Sequence, residues 1–196
     1  MKKIILASAS PRRKEILLKT GLSFEVQESE YEEDMALAMP PGELSEYLSL
    51  GKARLVADKN NDAIVIAADT FVVCDNKFLG KPKTESLARE MLSILSDKEN
   101  DIFTGVTIID SSNDHTVSFH EISKVFMKKM PPETIELYIK TGEPLGMAGG
   151  YSIQGRGAVL IEKIDGDFFN AMGLPLSRLA EELKDFGIRI FKASKY

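Results

Sequence analysis

Ser8, Ser10, Arg12 and Arg13 cluster where the apolar run Ile4-Ile5-Leu6-Ala7 gives way to a helical pattern. Hydroxyls and guanidinium groups at a strand-to-helix junction converge with the unsatisfied N–H groups of the first helical turn, and together these make an anion site suited to phosphate. Arginine adds a planar fork of donors that bridges phosphate oxygens. The competing reading is a capped helix with a solvated basic first turn, yet cations at a helix start oppose its dipole. The segment lacks the glycines and the Gly-Lys-Ser/Thr ending of a Walker loop, so a motor ATPase has little support.

Asp69 follows Ile64-Val65-Ile66-Ala67-Ala68, an unbroken apolar run of the kind that forms a strand covered on both faces. Asp69-Thr70 is therefore expected at the carboxyl end of a central strand, where open α/β sheets bind ligands. A carboxylate fixed there can hold a metal or orient water; the alternative is a turn or cap aspartate. Glu32, Glu33 and Asp34 lie in an acidic stretch that reads either as a solvated loop or as the source of a second carboxylate for a Mg²⁺ shell shared with Asp69.

Lys52 and Lys81 offer point positive charge. Lys52 falls at the edge of a helical stripe, within reach of solvent or of a cleft rim, whereas Gly80-Lys81-Pro82 presents its amine from a rigid base. Gln154, in Tyr151-Ser152-Ile153-Gln154-Gly155, and Thr70 carry side chains able to read a base edge. Turn stabilisation explains Gln154 equally well.

Other chemistries find less support. His115 and His120 flank one predicted strand without the spacing of a zinc pair on a helix, and no Ser-His-Asp order stands out. Gly155-Arg156-Gly157 precedes a strand instead of a helix, so it is no dinucleotide fingerprint. The single cysteine, Cys74, excludes an internal disulfide framework and reads as a small buried hydrophobe. With 25 Lys plus Arg against 30 Asp plus Glu, the formal charge is -5, which argues against a nucleic-acid partner. The N-terminal apolar run is too short for a signal peptide, and no apolar stretch is long enough to span a membrane; no membrane partner and a cytoplasmic location are the expectation.

The elements that must position these residues alternate along the 196 residues, which fit one domain, 1–196, with two lobes and no separate linker. Ile4 to Ala7 reads as a strand, and Ser10 caps a helix that opens with Pro11 and stops at Gly21. Ser23 to Val26 reads as a second short strand. Glu43 to Lys59 forms a helix with Leu44, Tyr47, Leu48, Gly51 and Leu55 along one stripe. Phe71 to Leu79 resembles a hairpin turning at Asp75-Asn76, and a helix capped by Thr84 carries Ala88, Met91, Leu92 and Leu95 inward. Phe103 to Asp110 and His115 to Met127 are longer strands joined by a polar turn. Pro131-Pro132 opens a short helix, a glycine-rich loop follows, and Ala158 to Ile164 is the last strand. Leu176, Leu179, Ala180 and Leu183 mark a final helix that stops at Gly187. The class is α/β with a mixed sheet.

The motifs together resemble the Maf, or septum-formation, nucleotide pyrophosphatases. Leu6-Ala7-Ser8-Ala9-Ser10-Pro11-Arg12-Arg13 followed by Glu15-Ile16-Leu17 is similar to the family's N-terminal motif. Gly51-Lys52-Ala53, Ala68-Asp69-Thr70, Leu79-Gly80-Lys81-Pro82, Tyr151-Ser152-Ile153-Gln154-Gly155 and Gly173-Leu174-Pro175-Leu176 follow in family order and span nearly the whole chain. The resemblance implies an elongated α/β fold with two lobes around a central cleft, related to the inosine triphosphate pyrophosphatases, and a homodimer. It implies hydrolysis of nucleoside triphosphates at the α–β phosphoanhydride with Mg²⁺ or Mn²⁺, with Asp69 matching the proton acceptor. Arg12, Thr70 and Gln154 match the positions tied to substrate choice and resemble the dTTP/UTP branch. Arg13, Glu33, Lys52 and Lys81 match further pocket residues. Where family members commonly show Asp-Lys-Ala-Gly-Ala-Tyr, this chain has Gly146-Met147-Ala148-Gly149-Gly150-Tyr151. A nucleotide-binding regulator of septum formation would use the same pocket without turnover, and remains the alternative.

Overall fold

The computed structural model describes residues 2–32 and 37–191. In chain order its elements are β1 (Lys3–Leu6), α1 (Pro11–Leu18), β2 (Glu25–Val26), α2 (Pro41–Ala57), β3 (Ala63–Cys74), β4 (Lys77–Leu79), α3 (Glu85–Leu95), β5 (Glu99–Asp110), β6 (His115–Met127), α4 (Pro132–Ile139), β7 (Ile161–Asp165), α5 (Phe168–Ala171) and α6 (Leu176–Glu182). The strands form a seven-stranded sheet in the order β2-β1-β3-β5-β6-β7, with β4 paired to β3. Pairing is parallel for β1 with β2 and with β3, and antiparallel for β3 with β4 and for β6 with β7, so the sheet is mixed. No helix among the described residues is long and apolar enough to cross a membrane.

The chain divides into two compact units, the first made of Met1–Asp69, Thr104–Glu121 and Gly173–Tyr196, the second of Thr70–Phe103 and Ile122–Met172. In the first, Ile5, Ala7, Val65, Ala67 and Ile109 pack against Ala53, Val56 and Ala57 of α2. In the second, Ala88, Met91, Leu92 and Leu95 of α3 meet Val72, Cys74, Val125, Met127 and the Ile135–Ile139 face of α4. Each such large apolar side chain taken from water contributes about 1.5–3 kcal/mol.

Local signals explain several boundaries. Ser10 caps α1 by accepting from Arg13 N at 3.5 Å, with Pro11 at the first helical position. Thr84 caps α3 through Leu87 N at 3.2 Å. Asp75 and Asn76 adopt φ of 49° and 61°, the left-handed pair that a tight hairpin turn requires.

Three expectations are corrected. The buried face of α2 keeps only part of the Leu44-Tyr47-Leu48-Gly51-Leu55 stripe, since Leu44 and Leu48 are buried but Tyr47 and Leu55 are exposed, and Ser45, Ser49, Ala53 and Val56 are buried instead. The hydroxyls of Ser45 and Ser49 bond the helix's own Gly42 and Glu46 carbonyls, which lets polar residues face inward. Asp69 does not end its strand, because β3 continues to Cys74 by exchanging one neighbour for another: Ala63–Ile66 pair with β1, and Val72–Cys74 with β4. The segment from Ala158 begins as a 3-10 turn, Arg156–Leu160, and the strand starts only at Ile161.

Candidate functional site

The Ser8–Arg13 turn is built by hydrogen bonds among its own residues. β1 stops pairing at Leu6, opposite Ile66, and the chain turns away after Ala7 N donates to Ile66 O at 2.7 Å. Ser8 Oγ then accepts from Ser10 N at 3.2 Å and from Arg13 Nη1 at 3.3 Å, while Arg13 Nε donates to Gly173 O at 2.8 Å. The turn therefore holds its hydroxyl and Arg13 in place before any ligand arrives.

Arg12 is different. It is half-buried, and burial pulls its pKa below the ordinary value, with no carboxylate among the described residues to offset the loss of solvation. A desolvated cation without a counterion is costly unless an anion completes it.

Strand alternation brings Asp69 to α2. Ala63, Val65 and Ala67 face the Ala53-Val56-Ala57 side of that helix, and Asp69 is the next residue on the same face. Its Oδ1 accepts from Lys52 Nζ, with the Asp69 and Lys52 side chains only 7% and 12% exposed. Tyr31 lies over Gly51, the residue before Lys52; a Cβ there would fall 2.3 Å from the ring, so glycine is what admits the aromatic contact. Because β1 ends its pairing three residues before Asp69, the Ser8–Arg13 turn leaves β1 beside the part of β3 that carries the carboxylate, within a strand that runs on to Cys74.

The second unit holds Thr70, Lys81 and Gln154. Thr70 follows Asp69 on β3 and is half-buried. Lys81 sits between two backbone anchors: Gly149 N donates to Gly80 O at 3.0 Å and Gly146 N to Pro82 O at 3.2 Å. Gln154 is exposed on a loop whose flanks are fixed. Tyr151 Oη donates to Asn100 Oδ1 at 2.8 Å, and Glu143 accepts from the N–H groups of Arg156 and Gly157, each at 2.8 Å. Asn100, Tyr138 and Glu143 escape a reading of the sequence because each is a single polar residue without a periodic or motif signal.

Asp69 is a hard oxygen donor of the kind Mg²⁺ takes, and one carboxylate beside phosphate oxygens and waters suffices for that ion. Among the described residues no group of three or more His, Cys, Asp or Glu side chains gathers into a metal cage. Glu33, expected as a second ligand, lies outside the described residues.

A family model described as Maf-like protein matches residues 3–186. The chain belongs to the Maf family. It is 46% identical over 193 residues to a dTTP/UTP pyrophosphatase of Bacillus cereus, covering 98% of this chain and 94% of the relative. A dTTP/UTP pyrophosphatase of Bacillus anthracis is 45% identical, with 98% and 100% covered. Among solved structures, a HAM1 protein from Coxiella burnetii matches with a TM-score of 0.57 at 15% identity, over 94% of this chain and 100% of the other, a likeness of fold.

The Gly146–Gly150 segment is held to the chain around Lys81 by backbone bonding. Gly146, Gly149 and Gly150 have φ of 78°, 69° and 75°, and two of them supply the N–H groups that hold Gly80 and Pro82. At Gly149 a Cβ would crowd Tyr151 and Val72, at 3.1 and 3.2 Å, so the close approach depends on glycine.

Proposed function

We propose that this chain hydrolyses dTTP and UTP to the nucleoside monophosphate and pyrophosphate. The observation that carries the reading is the half-buried Arg12, without a carboxylate partner among the described residues, on the same turn as Ser8 and Arg13, where β1 ends its pairing with β3 three residues before Asp69. An anionic substrate completes that cation. The relatives named above, both dTTP/UTP pyrophosphatases at 46% and 45% identity, give the nucleotide class.

Ser8, Ser10, Arg12, Arg13 and Lys81 bind phosphate oxygens, and Lys52 passes from its pair with Asp69 to the phosphates. Water attacks the α-phosphorus, the bond from that phosphorus to the bridging oxygen breaks, and pyrophosphate leaves; the Asp69 carboxylate orients the water and receives its proton. Cations placed opposite the developing charge lower the barrier. A Mg²⁺ or Mn²⁺ ion held by Asp69, with Glu33 as the second proposed ligand, would supply charge neutralisation for the leaving pyrophosphate. Thr70 and Gln154 read the pyrimidine edge through hydroxyl and amide. A homodimer is part of the proposal and is read from the mass in solution.

The test is a panel of dTTP, UTP, CTP and 7-methyl-GTP with Mg²⁺, with both products identified. Pyrophosphate released mainly from dTTP and UTP supports the reading. Stepwise release of phosphate, tight binding without release, or a preference for 7-methyl-GTP overturns it.

A further inference from the structure

We propose that Glu143, oriented by Tyr138, is a positioning residue that fixes the loop carrying Gln154 and so sets discrimination between bases; this rests on the pyrimidine reading given to Gln154 above. The loop is wrapped around one carboxylate. Glu143 Oε1 accepts from Gly157 N at 2.8 Å and from Tyr138 Oη at 2.8 Å, and Oε2 accepts from Arg156 N at 2.8 Å. Tyr138 Oη in turn accepts from Ser152 N at 3.1 Å, and Ser152 Oγ accepts from Gly155 N at 3.2 Å. Backbone on both sides of Gln154 is thus tied to the same two side chains.

The fit explains two glycines. A Cβ on Gly155 would lie 2.3 Å from Glu143 Oε2, and one on Gly157 would lie 2.4 Å from Tyr138 Oη. Both residues must lack a side chain for the loop to close over the carboxylate and the phenol. Desolvation works to raise the Glu143 pKa, but the bonds donated by Gly157, Arg156 and Tyr138 outweigh it and hold the group in its charged form. By contrast Gln154 itself stays exposed, with no hydrogen bond to any described residue, so the ordered network surrounds a side chain left available for a ligand. The segment that begins with Glu143 also supplies Gly146 and Gly149 to the backbone on either side of Lys81. One stretch of chain therefore braces two of the proposed substrate-binding residues.

A loop brace that served folding alone would slow every nucleotide equally when cut. A positioning residue would change the ranking of nucleotides. The experiment compares Glu143→Gln, Gln154→Ala and the double substitution for dTTP and CTP, reading kcat, KM and, by binding, the ratio of Kd values, together with amide exchange at residues 155–157. In Glu143→Gln an amide N–H replaces one acceptor oxygen, so a backbone donor loses its partner. The expected result is faster exchange at Arg156 and Gly157 and a fall of about tenfold in dTTP preference, expressed in KM more than in kcat, the scale of one displaced hydrogen bond. Adding Glu143→Gln to Gln154→Ala should lower the preference no further. Should Glu143→Gln fail to fold, Tyr138→Phe keeps the carboxylate but removes the bond donated to it and the one accepted from Ser152 N, with an expected loss of preference of about threefold. Equal slowing of both nucleotides, or effects of the two substitutions that multiply, overturns the proposal. Failure of the pyrophosphatase reading shows separately, as absence of pyrophosphate from the unsubstituted protein, and the Kd ratios then still test the positioning role.

Discussion

Lys52 of α2 and Asp69 of β3 face each other as a nearly buried ion pair, 12% and 7% exposed. The pair exists because β3 presents Ala63, Val65, Ala67 and Asp69 to one helix in succession. Removing Lys52 strands the Asp69 carboxylate. Lys52→Met should lower the unfolding free energy by about 2–4 kcal/mol, and adding Asp69→Asn should restore much of that loss, because an uncompensated buried charge costs more than an absent pair. Urea unfolding of the two single variants and the double variant checks this, and additive losses would contradict it.

Arg12 and Arg13 are neighbours with different work. Arg13 donates to Gly173 O and Ser8 Oγ, at 2.8 and 3.3 Å, so Arg13→Ala should cost about 1–2 kcal/mol of stability. Arg12 is desolvated without such a return among the described residues. Arg12→Ala should leave stability within about 0.5 kcal/mol of the parent and raise KM for dTTP by about tenfold or more. Thermal unfolding beside steady-state kinetics separates them; a large stability loss in Arg12→Ala would show that the guanidinium is structural.

Gly105 lets β5 meet α2 backbone to backbone. A Cβ there would sit 2.1 Å from Ser45 C and O and 2.5 Å from Glu46 N, atoms that cannot yield as a side-chain tip does. Gly105→Ala should cost more than about 3 kcal/mol. Gly21→Ala, where φ is 71° but nothing lies within 4 Å, should cost about 1 kcal/mol. Similar losses at the two positions would remove the packing explanation.

Asp110 ties down the start of the chain. Lys2 Nζ donates to its two oxygens at 2.7 and 2.6 Å, and Ser112 adds N–H and hydroxyl bonds at 3.1 and 2.8 Å. Desolvation pushes the Asp110 pKa up, but those bonds outweigh it and hold it below the ordinary 3.8. The unfolded chain therefore takes up this proton first as pH falls. The stability from Asp110 is complete above the ordinary value and drains away as pH drops through the lower folded value. Lys2→Met should flatten this acid limb, measured by unfolding from about pH 6 to about pH 2; an unchanged slope would contradict the assignment.

Much of this architecture is legible in the residues themselves. Ser10 and Pro11 announce α1, Thr84 announces α3, and Asp75-Asn76 announce the hairpin, because caps and tight turns depend on the chemistry of one or two positions. The inner face of α2 is hidden, since its buried Ser45 and Ser49 are polar by type and find partners for their hydroxyls in the helix's own carbonyls and, for Ser49, in Thr107 of β5. The continuation of β3 past Asp69 is hidden too, because it depends on which strand pairs where. Helix α5 has only four residues, too few for a period, and rests on Asp167 accepting from Phe169 N at 2.7 Å. Within the site, the motif residues stand out by type, whereas Glu143, Tyr138 and Asn100 acquire meaning only through long-range bonds to loop backbone and to Tyr151.

The account turns on Asp69, and its most direct test is hydrolysis of dTTP by Asp69→Asn at saturating nucleotide and Mg²⁺, with pyrophosphate measured. The isosteric amide keeps the strand in place but removes the charge proposed to orient water and accept its proton. Turnover should fall by about 10³-fold or more while dTTP still binds. Turnover close to that of the parent protein would contradict the assignment.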